Sequence, residues 1–272
     1  MLAAALIVFR EVLEAGLIVG IVLAATQGVA GRAKWIAGGI GAGILGASVV
    51  AVFAEGLSNA FAGSGQDLFN ASILLAAVCM LSWHVVWMAS HARHLTREMK
   101  DLGKSVALGE RTLFAMAVVV AVAVLREGAE VVLFLYGLAL SGGGGPVAMI
   151  AGGLAGIGAG AVISWLLYRG LLVIPAGKLF SVTNALIVLL AAGMAGQAGV
   201  YLAKVDLVPT LGSELWDTSG LLPDNGIVGR ALHALVGYSD RPMGIQVVAY
   251  LTVVLVLAGL TALVRARSHR TS

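Results

Sequence analysis

One cysteine in 272 residues, and charge on only 11% of them, exclude a good deal before any motif is considered. Cys79 alone can form no intramolecular disulfide, and it leaves no cysteine set to hold zinc or an iron–sulfur cluster. The apolar runs contain no histidine pair suited to haem. Charged residues make up about a quarter of ordinary soluble domains, so a chain with this little charge and 60% apolar residues is not one of them. No basic residue precedes the opening apolar run, and Arg10 interrupts it. That run is therefore expected to persist as a membrane span, not to be cleaved as a signal peptide.

What is present is a series of long apolar stretches, with a mean hydropathy of +0.99. Seven are long enough to cross a hydrocarbon core of about 30 Å. They run over Leu2–Thr26, Trp35–Ala54, Leu68–Ser90, Leu113–Leu140, Val147–Tyr168, Leu179–Ala203 and Gly244–Val264. The expected fold is an all-α polytopic membrane protein. Seven spans put the loops alternately on two sides. One side collects Arg32, Lys34, Arg93, Arg97, Lys100, Lys104, Arg111, Arg169, Lys178, Arg265, Arg267 and Arg270; the other has Lys204, Arg230 and Arg241. The positive-inside rule then places the N-terminus outside and the C-terminus in the cytoplasm, as expected for a multi-pass protein of the cytoplasmic (inner) membrane. This bias accounts for a pI near 9.2 and requires no nucleic-acid partner. The outer connections are acidic, with Glu55, Asp67, Asp206, Glu214, Asp217, Asp224 and Asp240, which raises the local concentration of cations.

Within the spans, one pattern occurs twice: Arg10-Glu11-Val12-Leu13-Glu14 in the first and Arg126-Glu127-Gly128-Ala129-Glu130 in the fourth. The offset is 116 residues. One span later, Gly39-Ile40-Gly41-Ala42-Gly43 matches Gly156-Ile157-Gly158-Ala159-Gly160 at an offset of 117, and Leu68-Phe69 is echoed by Leu179-Phe180. Two three-span halves follow, with an odd number of spans each, so they enter the membrane from opposite sides. This is a 3+3 inverted-topology repeat plus one additional helix, with a site expected at the midplane between the halves. The chain divides into residues 1–90 (first repeat), 91–111 (cytoplasmic connector), 112–203 (second repeat), 204–243 (outer loop) and 244–272 (seventh helix and tail). The glycines at four-residue spacing suit close helix approach. The match of Gly41–Gly46 to a dinucleotide fingerprint is dismissed, because no strand precedes it and it lies inside an apolar helix.

An ionisable residue at the centre of a span carries a penalty of about 2.5–3.5 kcal/mol even on the lenient insertion scale. Six of them amount to a gross penalty on the order of 15–20 kcal/mol before pairing. On a helix, residues four apart lie about 40° apart, so Arg10 can pair with Glu14 and Arg126 with Glu130. A purely structural salt bridge explains one glutamate in each motif and leaves the second without a purpose. Four carboxylates against two guanidinium groups leave a formal charge of −2, which a divalent ion would neutralise. Oxygen-only ligation suits hard cations such as Mg, Mn, Ca or ferric iron, and suits ferrous iron less well. The same carboxyls could also relay protons. The candidate metal ligands are thus Glu11, Glu14, Glu127 and Glu130, with Arg10 and Arg126 as charge partners.

Paired Arg-Glu-x-x-Glu motifs in the first and fourth of seven spans resemble the oxidase-dependent iron transporter family of bacterial and fungal permeases. The similarity covers nearly the whole chain and extends to Leu215-Trp216-Asp217-Thr218-Ser219, Leu221-Leu222-Pro223, Gly229-Arg230 and His233-Ala234-Leu235-Val236-Gly237-Tyr238 in the last outer loop. The resemblance implies that the four glutamates carry iron. Iron is then the transported substrate, with no permanent cofactor, and an extracytoplasmic oxidase or iron-binding protein is the expected partner. The alternatives are a transporter of another multivalent cation, such as lead or manganese, or a membrane metalloenzyme or electron carrier.

Secondary candidates remain. His84 lies in the third span between Trp83 and Trp87, with Met80 and Met88 near, and could be a ligand, a proton acceptor or a packed residue. Gln197 lies in the corresponding part of the sixth span. His91 and His94 sit among basic residues at the cytoplasmic end of the third. Glu214, Asp217 and His233, with Asp224, could gather an ion in the outer loop.

Overall fold

The computed structural model describes residues 1–60, 65–142, 145–170, 176–224 and 226–270; within its helices, the side chains at 55, 57–60, 88–96, 176–181, 227, 230, 231, 234 and 265–270 fall outside the description. Met88, His91, His94, Leu179 and Phe180 lie outside the described side chains for that reason. Among the described residues the regular structure is entirely helical: α1 (Leu2–Ala25), α2 (Arg32–Ala60), α3 (Gln66–Ala107), α4 (Leu113–Leu140), α5 (Pro146–Tyr168), α6 (Ala176–Lys204), α7 (Ile227–Val236) and α8 (Gly244–Arg270).

Local chemistry sets several of the boundaries. The hydroxyl of Thr112 accepts a hydrogen bond from the Ala115 N–H at 3.1 Å and caps the start of α4. Pro146 occupies the first turn of α5, where its missing N–H is no loss. Gly109, at φ +78°, lets the chain turn sharply between α3 and α4. The connector at 91–111 continues α3 as helix as far as Ala107, so α3 has 42 residues.

Stretches of 21 to 23 residues in α2, α3, α5, α6 and α8 are apolar and long enough to cross a bilayer. This makes the chain a multi-pass membrane protein. Helices α1 and α4 have 24 and 28 residues, each with three charged side chains at mid-length. At 1.5 Å per residue they extend about 36 and 42 Å, which also exceeds the core thickness.

Helix α1 packs along α5, α2 along α4, and α3 along α6, with α8 outside α6. Glycine makes the first two contacts close. A Cβ at Gly156 would fall 2.6 Å from the Ala5 carbonyl oxygen and 2.9 Å from Val8 Cβ. At Gly43 it would fall 2.8 Å from the Ala121 carbonyl oxygen and 2.6 Å from Val124 Cβ. Neither site has room for a side chain, so these are small-residue helix contacts. Ala121 and Val124 follow Ala5 and Val8 by 116 residues, but Gly156 follows Gly43 by 113. The glycine match expected at an offset of 117 is therefore one helical turn away from the register in which the helices pack.

Two apolar clusters flank the charged mid-sections. One joins Ala3, Ala4 and Ile7 of α1 to Phe134 and Leu138 of α4, with Leu74, Leu81 and Val85 of α3 and Ile187, Leu190 and Met194 of α6. The other joins Val22, at the far end of α1, to Met116 and Val120 near the start of α4, with Ile36 and Val106. The start of α1 thus meets the end of α4, so the two helices run antiparallel and their charged segments meet between two apolar layers.

Candidate metal centre

Arg10, Glu11, Glu14, Glu127 and Glu130 are all buried, at 0–5% exposure. Arg10 is the anchor of the first motif. Its Nη1 donates to Glu11 Oε1 at 2.9 Å, and its Nη2 lies 3.0 Å from Glu14 Oε1. In the second motif Arg126 Nε donates to Glu130 Oε1 at 3.1 Å and lies 3.7 Å from Glu127 Oε1. The Arg126 side chain is 42% exposed, and its guanidinium stands 5.0 Å from the centre of the Trp87 ring. Arg126 is therefore the least buried charged member of the cluster.

Between the motifs stands His84 of α3, only 2% exposed. Its Nε2 lies 3.1 Å from Glu14 Oε2, and its Nδ1 lies 2.5 Å from Glu130 Oε2. One ligand atom from each of Glu11, His84, Glu127 and Glu130 lies within 4.8 Å of all the others. Donor atoms on one ion with bonds of about 2.1 Å sit about 3 Å apart when adjacent and about 4.2 Å apart when opposite. A single cation therefore needs only small movements of these side chains. Glu11 Oε2 and Glu127 Oε2 are buried without a hydrogen-bond partner, a need that a cation, a proton or an ordered water would meet. His84, a secondary candidate in the sequence, would add a nitrogen to the oxygen-only set read from the motifs. Glu14 falls outside the four-atom group.

The remaining sequence candidates do not join this cluster. Gln197 is half-buried on α6 and makes no hydrogen bond among the described residues. Glu214 and Asp217 are exposed in the outer loop, where Asp217 pairs with Arg241 at 3.1 Å. Hydrogen bonds from the Ser219 hydroxyl and N–H hold the Asp217 carboxyl below its ordinary range. Partial burial pushes Asp224 up, and the neighbouring Asp240 charge adds to the rise. His233 on α7 has both ring nitrogens 2.6 Å from backbone oxygens, those of Tyr238 and of Ser141 just past α4. It ties the outer loop to the end of α4. Tyr238 bonds Thr218 and Leu222, closing the loop on itself. Among the described residues these loop groups form no metal-ligand set.

Beyond Glu14, towards the far end of α1, a cavity of about 590 Å³ is lined by Gly16, Leu17 and Gly20, by Ser164 and Tyr168 of α5, and by Lys100 and Lys104 of α3. The Ser164 hydroxyl is buried there without a partner.

The sequence is similar to proteins whose names describe transport. It is 29% identical to the ferrous iron permease EfeU of Escherichia coli O6:H1 over 245 residues, covering 87% of this chain and 86% of that protein. It is 29% identical to the ferrous iron permease EfeU of Yersinia pestis over 255 residues, covering 90% and 87%. The protein of Yersinia pseudotuberculosis with the same name matches at 29% over 90% of this chain. No solved structure matches. The model of the Iron permease FTR1 family matches residues 1–270, so the paired motifs and their buried cluster sit in a sequence that matches that model almost from end to end. The chain belongs to the iron permease FTR1 family.

Proposed function

We propose that this protein is an iron permease of the cytoplasmic membrane and that iron crosses through the glutamates of its two Arg-Glu-x-x-Glu motifs. The observation that carries this reading is the convergence of Glu11 from α1 with Glu127 and Glu130 from α4 into one buried group of ligand atoms. Buried carboxylates without an ion repel one another, and a cation relieves both the repulsion and the desolvation. Arg10 and Arg126 offset part of the negative charge, so the ion is held without being trapped. Relatives named as permeases point to a transporter, not an enzyme.

In this reading α1 and α4 cross the bilayer with the five apolar helices, making seven spans. The pairing of α1 with α5, α2 with α4, and α3 with α6 is what exchange of two inverted halves would generate, and it supports a 3+3 repeat with α8 added. The basic loops put the N-terminus outside and the C-terminus in the cytoplasm. The cavity beyond Glu14 is then the inner vestibule, and Lys100 and Lys104 at its mouth oppose return of the cation. The two halves rock or gate around the cluster, and an external oxidase or iron-binding protein supplies the ion to the acidic outer face. In iron uptake into proteoliposomes, excess manganese, lead or zinc should compete weakly. Displacement of iron by manganese or lead at equal concentration would replace iron with another multivalent cation as the substrate. Supplying ferrous and then ferric iron in the same assay tests the need for an oxidase.

A further inference from the structure

His84 is the one member of the cluster that comes from neither motif helix, and its two contacts are unlike. The approach of Nε2 to Glu14 Oε2 has hydrogen-bond geometry at 3.1 Å. Nδ1 and Glu130 Oε2, though 2.5 Å apart, are misaligned, and both remain without a hydrogen-bond partner. A neutral imidazole has one N–H and one lone pair. When Nε2–H donates to Glu14, the lone pair on Nδ1 faces a carboxylate oxygen that is itself an acceptor. Two buried lone pairs so placed repel each other unless a proton or a metal ion lies between them.

We propose that Nδ1 of His84 is a ligand of the transported ion together with Glu11, Glu127 and Glu130, and that Glu14 positions the His84 ring in place of acting as a fourth equal ligand. This rests on reading the cluster as the iron site. A carboxylate bonded to the far nitrogen of a ligating histidine fixes its tautomer and orientation and raises its basicity. Glu14 suits that part, since its other oxygen lies 3.0 Å from Arg10 Nη2, an ion-pair distance. The chain Arg10–Glu14–His84 thus carries the first motif's charge to the ion through a ring on α3. Glu130, at the same place in the second motif, faces Nδ1 and has no such intermediary. The nitrogen also changes selectivity. Carboxylates alone suit magnesium, calcium and manganese, whereas imidazole suits iron and its neighbours, so His84 tilts the site away from the abundant alkaline-earth ions.

The test uses the full-length protein in detergent or nanodiscs with Mn(II) alone as the probe, read by pulsed electron paramagnetic resonance. Bound Mn(II) should show ¹⁴N coupling in the wild type. His84→Gln should abolish that coupling, weaken binding about 10–100-fold, and reduce the preference for ferrous iron over magnesium and calcium in uptake. Glu14→Gln, whose carbonyl can still accept from Nε2, should keep the coupling; Glu14→Leu should weaken it. Mn(II) bound by the wild type without ¹⁴N coupling would overturn the assignment of His84 while leaving the glutamate path standing. Loss of affinity in Glu14→Gln as large as in Glu127→Gln would make Glu14 a direct ligand and overturn its positioning role. No Mn(II) binding at all, together with wild-type iron uptake by Glu127→Gln, would overturn the site as well.

Discussion

The two Arg-Glu-x-x-Glu motifs share a spacing and differ in almost everything around it. Arg10 is fully buried and divides its guanidinium between both glutamates of its own motif. Arg126 is 42% exposed, bonds Glu130, and leans on Trp87. The glutamates differ too, since Glu14 faces His84 Nε2 and Glu130 faces Nδ1, and Glu127 and Glu130 but not Glu14 belong to the candidate ligand group with Glu11. Even the neighbouring helix crossings are mirrored. Val12 of the first motif packs on Gly160, while Gly128 of the second packs on Ala47, so the small residue changes sides. The same motif thus occurs once closed off from solvent and once partly exposed.

The sharpest way to break this comparison is to remove the arginines one at a time. Arg10→Met leaves Glu11 and Glu14 buried without their cation, and a loss of about 3–5 kcal/mol of stability is expected. Arg126→Met removes a partly solvated charge, and about 1 kcal/mol or less is expected. Thermal unfolding of the purified protein in detergent measures both, and equal shifts would mean the two motifs do not differ as described.

The mirrored crossing predicts a smaller effect. Gly128→Val inserts atoms where a Cβ would already lie 2.5 Å from the Ala47 Cβ, and overpacking of about 1–3 kcal/mol is expected. Ala47→Gly in the same chain should recover most of it, because the two sites share one contact. Additive losses would show that Gly128 is kept for some other reason. Val12→Gly, at the matching crossing, should cost about 1–2 kcal/mol through lost packing and helix propensity, with no rescue from any change at Gly160.

The smallest expected effect lies at Trp87. Trp87→Leu removes the ring under Arg126, with an expected loss of about 0.5–1 kcal/mol. Its clearer signature is looser placement of Arg126, seen as faster reaction of that guanidinium with a phenylglyoxal reagent. Unchanged reactivity would show that Trp87 does not hold it.

Much of this was legible in the sequence, for identifiable reasons. Charge inside an apolar run is so unfavourable that Arg10, Glu11, Glu14, Arg126, Glu127 and Glu130 announce themselves, and their repetition places them on facing helices. The helices α1 and α4 follow the expected spans to within a residue because apolar length defines both, and the Thr112 cap fixes the start of α4. His84 was visible only as a lone histidine among tryptophans. Its bridge to Glu14 spans 70 residues of chain, and no local spacing encodes that. The glycine register was misplaced because Gly/Ala-rich helices match themselves at many offsets, and only the contacts with Ala5 and Ala121 fix the turn. Asp217 and His233, which in sequence look like possible ligands, are engaged in holding the outer loop together.

The most direct test is uptake of radioactive iron into proteoliposomes carrying equal amounts of wild-type protein or of Glu11→Gln, Glu127→Gln or Glu130→Gln. Each substitution removes one ligand charge from the buried cluster and keeps the side chain's size. Uptake should fall about 10–100-fold in every variant while the protein inserts and folds normally. Wild-type rates in all three would contradict a path for iron through the paired motifs.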